Sequence, residues 1–111
     1  MTYDGELAER IRELVAGEPG LTEKAMFGGL AFLVGGNMAV AASGQGGLLL
    51  RVDPTESDAL VGGSPARVAV MRGREMPGWL RLDSKDVTTR EALSSWVERG
   101  VSFARSLPAK G

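Results

Sequence analysis

Between residues 28 and 47 glycine recurs as Gly28-Gly29, Gly35-Gly36 and Gly44-Gln45-Gly46-Gly47, and the stretches between these groups are short and apolar. Short apolar runs separated by turn-forming residues are the pattern of strands joined by tight connections, and they leave no room for a helix of ordinary length. Residues 23–27, 30–34, 38–43 and 48–52 are therefore predicted as successive strands of a meander, with Gly35-Gly36-Asn37 as a hairpin turn. The unbroken Leu48-Leu49-Leu50 start of the fourth run predicts a central strand covered on both faces.

The same glycines raise a chemical question, because glycine-rich loops also cradle phosphates. Such a loop needs a strand before it and a helix N-terminus after it, so that backbone N–H groups and the helix dipole meet the anion. Here each glycine group leads from one predicted strand into another. They are read as turns.

Helices are predicted on either side of the strands. Asp4 can cap a first helix in which Leu7, Ile11, Leu14 and Val15 share one face, with Glu6 and Arg10 paired on the other. Asp53-Pro54-Thr55-Glu56 is a helix start, with a capping Asp before a Pro, and Gly62-Gly63 stops that helix early. Residues 66–71 and 79–82 are predicted as a last pair of strands around the turn-rich segment 72–78. Thr88 with Glu91 reads as a capping box for a final helix, along which Leu93, Trp96, Val97, Gly100, Phe103, Ala104 and Leu107 form one stripe ahead of Pro108.

No strand–helix–strand alternation is present, so a parallel sheet is not predicted. The expectation is a two-layer α+β fold: a mainly antiparallel sheet of about five strands with helices packed on one face. All 111 residues are expected to form a single domain, with residues 108–111 as a loose tail. If Leu30, Phe32, Val34, Leu48, Leu50, Leu80 and Leu82 face the helices, the period of two sends Ala31, Leu33, Ala39, Ala41, Leu49 and Trp79 to the other face. That face would also be apolar, and either the chain's own elements or a second copy would cover it.

Composition narrows the chemistry. Neither cysteine nor histidine occurs, which excludes disulfides, thiolate nucleophiles, the His-based triads and the usual zinc ligand sets. Thirteen basic residues against fourteen acidic ones give a net charge of −1, without the basic excess common in nucleic-acid and anionic-membrane binders. No window approaches a membrane span, and the N-terminus lacks a leader pattern, so a cytoplasmic location is expected. No catalytic constellation, metal ligand set or cofactor motif is found, and Asp53 is better explained as a cap.

Several cations stand out. Arg67, Arg72, Arg74 and Arg81 gather around Trp79 and could form an anion-binding or base-stacking patch, although Glu75 and Asp83 lie among them. Lys24 and Arg51 are lone cations in apolar strands, read either as solvated positions or as an ion-pair or anion site. Met26, Met38, Met71 and Met76 are read as packing residues, and a methionine-rich surface would also suit an adaptable partner groove.

Taken together, EKAMFGGLAFLVGGNMAV, LLLRVDP, RGREMPGWLRL and ALSSWVERGVSFARSLP resemble, in order and spacing, the N-terminal domain of the TfoX/Sxy competence regulators. The resemblance covers about residues 21–108 and is closest to small stand-alone bacterial members. It implies a two-layer α+β fold similar to that of type III secretion chaperones, a group that often dimerises. It also implies a regulatory setting linked to DNA uptake, and offers no catalytic residue.

The resulting expectation is a non-enzymatic protein-interaction module, homodimeric, with an unknown protein partner and with Trp79, Arg74, Met76, Arg51 and Lys24 as candidate contacts. A small-ligand or anion-binding domain using Arg51, Lys24 and the arginines near Trp79 is the alternative. No cofactor, membrane or direct nucleic-acid ligand is expected.

Overall fold

The computed structural model describes residues 4–26 and 28–109. Six strands, β1 Leu21–Met26, β2 Gly29–Val34, β3 Asn37–Ala42, β4 Leu48–Arg51, β5 Arg67–Met71 and β6 Arg74–Leu82, form one sheet. Every pairing is antiparallel, and the strand order is β1-β2-β3-β4-β6-β5. The helices are α1 Gly5–Val15, α2 Ser57–Gly62 and α3 Arg90–Ser106. This is the α+β fold expected, and its six strands fall on the six predicted segments. All three glycine groups join antiparallel strands; the β2–β3 turn holds Gly35 at φ 60° and Gly36 at φ 82°, a pairing that side chains resist.

One row of residues builds the core. Phe32, Val40, Leu50 and Leu80 stand opposite one another across β2, β3, β4 and β6, and all four are fully buried. Leu7, Ile11 and Val15 from α1 and Leu93, Val97 and Val101 from α3 complete the same cluster. Burying each of the larger side chains contributes roughly 1.5–3 kcal/mol. Helix α3 lies along β3 and β4, α1 packs on α3 and β3, and α2 sits beside β6 and β5.

A bulge in β3 corrects the alternation expected there. Phe32 pairs with Val40 but Leu33 pairs with Met38, so Ala39 is the extra residue and turns into the core. There its carbonyl meets Gly100 of α3. The remaining outer-face residues, Ala31, Ala41, Leu33, Leu49 and Trp79, are buried or half-buried. Among the described residues Val70 is the one exposed large hydrophobic, so the outer face is apolar without being an open patch.

Three local expectations shift. The turn predicted over 72–78 is confined to Arg72 and Gly73, at φ 53° and φ 76°, and β6 starts at Arg74. The extra residues sit inside β6: two steps along β5, from Val68 to Val70, span five along β6, from Leu80 to Glu75. The cap of α3 is Thr89, whose hydroxyl accepts from the Ala92 N–H at 3.1 Å; the cap thus lies one residue later than the expected Thr88, and Ala92 has no carboxylate to complete the box expected with Glu91. Arg10 does not hydrogen-bond Glu6; its guanidinium donates to the Thr88 carbonyl at 3.0 Å, tying α1 to the start of α3. Phe27 and residues 110–111 of the expected tail lie outside the described residues, whereas the Pro108 carbonyl accepts from buried Asn37 at 2.9 Å.

Three bidentate contacts brace the surface. Arg105 grips Glu18 at 2.6 and 3.1 Å, Arg12 grips Glu23 at 2.8 Å through two nitrogens, and Arg67 holds Asp83 at 3.1 and 3.3 Å. Hydrogen bonds from these arginines hold all three carboxyl groups below their ordinary pKa. A carboxyl depressed in the folded chain stabilises it above the unfolded pKa, and that contribution fades as pH falls through the folded value. The protein is therefore expected to lose stability below about pH 4.5, and Arg105→Ala to lose less between about pH 6 and about pH 3 than the parent does. Urea titrations across that range check this; equal losses in both chains would mean that the Glu18 pair adds nothing.

Candidate functional site

The lone cation of β4 has an unusual setting. Arg51 pairs in register with Trp79 of β6, and its guanidinium carbon lies 5.4 Å from the Trp79 ring centroid and 5.6 Å from that of Phe103 on α3. All three side chains are half-buried. No ion pair holds it: its N–H groups are open to solvent while its charge lies over two aromatic rings, an arrangement that favours a cation electrostatically. Among the described residues no acceptor lies within hydrogen-bonding distance of its N–H groups.

The irregular part of β6 fixes this cluster. Gly78, at φ 88°, donates its N–H to the buried Ser57 hydroxyl at 2.7 Å, and its carbonyl accepts from the Val52 N–H at 2.7 Å. A Cβ at this position would stand 3.0 Å from both the Val52 carbonyl oxygen and Pro54 Cγ, so the chain approaches as closely as only glycine permits. The Met76-Pro77-Gly78 segment is thereby fastened to the start of α2, and the next residue, Trp79, is presented to Arg51.

A furrow runs away from Phe103 between α3 and the segment leading into α2. Its first part, about 400 Å³, is lined by Val52, Asp53, Glu56, Leu60, Arg99 and Phe103 among others. A second part of about 250 Å³ continues from Leu60 and Arg99 to Trp96, and Arg99 stands 5.8 Å over the Trp96 ring. Asp53 in its wall accepts from the N–H and hydroxyl of Thr55 at 2.9 and 2.8 Å, which lowers its pKa; it is a cap, as expected, but of the single 3-10 turn Pro54–Glu56, and α2 starts after that turn at Ser57.

The other expected contacts are dispersed. Met76 is half-buried in the irregular segment, Arg74 is exposed beside the two-residue turn, and Lys24 is exposed on β1, with β2, β3 and β4 between it and Trp79. The arginines near Trp79 do not form one patch either. Arg67 is bound to Asp83, while Arg81 reaches the Ser43 hydroxyl and the Gly46 carbonyl at 3.0 Å, its pKa lowered chiefly by burial. Phe103 was expected as a packing residue of the final helix, and Ser57 carried no expectation. Phe103 hides within the apolar stripe of α3, and no local pattern announces that it meets Arg51.

Among the described residues no group of acidic side chains is placed to hold a metal ion, and no helix is long and apolar enough to cross a membrane. Comparison with curated proteins and with solved structures returns no match. The sequence pattern described as TfoX N-terminal domain matches residues 13–104, taking in the whole sheet and nearly all of α3. The chain belongs to the TfoX N-terminal domain family.

Proposed function

We propose that this chain is a non-enzymatic protein-interaction module of the cytoplasm, working as a homodimer in a regulatory setting and meeting its protein partner at the Arg51–Trp79–Phe103 cluster. One observation carries the reading: a half-buried arginine lying over two aromatic rings keeps its N–H groups free of protein acceptors among the described residues. Arginine and tryptophan dominate the energetics of protein interfaces, and a guanidinium already fixed by stacking loses little freedom when a carboxylate or backbone carbonyl arrives. Lack of histidine and cysteine supports the non-enzymatic part. The test is affinity capture from native cells with the parent and with Trp79→Ala and Arg51→Ala, each first shown to fold. Loss of a captured partner in both variants, by about tenfold or more, is expected; undiminished capture would remove the site.

The free guanidinium also supports a second reading, a small carboxylate or phosphate bound at Arg51. A thermal-shift series with such anions separates the two, because a ligand at 100 times its dissociation constant adds about 2.7 kcal/mol to stability.

A further inference from the structure

The two edges of the sheet are built differently. On β1 the residues Thr22 to Ala25 are exposed and include Glu23 and Lys24, and Arg12 of α1 is clamped onto Glu23. Charge along an edge strand, with a side chain braced across it, discourages pairing with another chain. The β5 edge carries no such guard. Its sequence is Arg-Val-Ala-Val-Met; Arg67 is already neutralised by Asp83 of the same chain, and Val70 is 57% exposed. The irregularity of the β5–β6 pair lies on the β6 side, so that β5 itself runs without an extra residue. Bulges that turn an edge strand away from neighbours are a common protection, and this strand lacks one.

We infer that two copies of this chain join along their β5 edges, antiparallel about Ala69, so that the two six-stranded sheets become one continuous sheet. This rests on the homodimer of the proposed function and assigns its geometry. The occupant is a second copy because the segment is complementary to itself. In that register Val68 faces the partner's Val70, a β-branched pair suited to cross-strand contact, and position 67 is aligned with position 71, so that no arginine meets another arginine. Parallel self-pairing in register would set Arg67 against Arg67, which like charges oppose. A two-fold axis gives a closed, isologous contact, so the pairing stops at two copies, and β1 remains the outer edge of each sheet.

The experiment is sedimentation velocity on the full chain and on Val70→Lys, at about 5 and about 100 μM, a range that brackets micromolar affinity. Val70 is exposed, so the variant is expected to fold as the parent does, checked by its circular dichroism spectrum at the lower concentration. The parent should sediment at twice 11.7 kDa at the higher concentration, and Val70→Lys should remain at 11.7 kDa. A monomeric parent throughout would overturn both the edge pairing and the homodimer. A dimer undiminished in Val70→Lys would overturn the edge pairing alone. Partner capture by Arg51 and Trp79 is read out separately and does not depend on either result.

Discussion

Gly100→Ala is expected to destabilise the protein by about 2–3 kcal/mol, although alanine is intrinsically the better helix former by about 1 kcal/mol. The reason is the closeness of α3 to the sheet. A Cβ on Gly100 would stand 2.5 Å from the carbonyl oxygen of Ala39 and 2.8 Å from Val40 Cγ1. The nearer atom belongs to the bulged backbone of β3, which cannot swing aside as the end of a long side chain could. Either α3 lifts, opening the contacts of Val97, Val101 and Ala104 with the core, or the bulge is forced flat and Ala39 loses its place there. Urea unfolding measures the loss, and the accompanying fall in melting temperature should be roughly 10 °C. Gly17→Ala is the control, since a Cβ there meets nothing within 4 Å and should change stability by no more than about 0.5 kcal/mol. If Gly100→Ala were as stable as the parent, the close approach of helix to bulge would not be a requirement of the fold.

That contact also shows where sequence reading stops. Gly100 lies on the apolar stripe of α3, and the stripe is legible because a helix repeats every 3.6 residues. What is not legible is that its missing side chain answers a bulge some sixty residues earlier in the chain, because register is decided by pairing between strands and not by either strand alone. The same limit explains the segment 72–78. Pro77 and Gly78 read locally as turn residues, yet both belong to β6, held there by bonds to Val52 and Ser57 that no local pattern announces. Element types, by contrast, follow from turn glycines, caps and alternation, and the strand and helix sequence along the chain could be written down in advance. For the candidate site, Arg51 and Trp79 were legible as a lone cation in an apolar strand and an aromatic opening the last predicted strand beside the Met76-Pro77-Gly78 segment. Their pairing in register and the approach of Phe103 to the same cation were not, since three different elements supply them. Lys24 looked equivalent to Arg51 in one dimension and differs because β1 is an edge strand while β4 is interior.

Ser57→Ala should cost about 1–3 kcal/mol and loosen the candidate site as it does so. Ser57 is 3% exposed, and its hydroxyl accepts the Gly78 N–H at 2.7 Å. Alanine fills the space but leaves a buried donor without a partner, and the full desolvation penalty of that donor then falls on the folded state. The chain can lower this cost by letting the Met76-Pro77-Gly78 segment drift toward water. Trp79 is joined directly to Gly78, so its ring would leave the Arg51 guanidinium as the segment moves. Two readouts separate this from a simple loss of stability. In a Trp96→Phe background Trp79 is the single tryptophan, and its emission should shift to longer wavelength in Ser57→Ala under conditions where both chains remain fully folded. In the capture experiment Ser57→Ala should behave like a milder Trp79→Ala, because the serine touches no partner and acts only by holding the segment that carries the tryptophan. A destabilised Ser57→Ala with unchanged Trp79 emission and undiminished capture would mean that the hydroxyl supports the fold alone, and that the cluster is positioned by α3 and β4 without it.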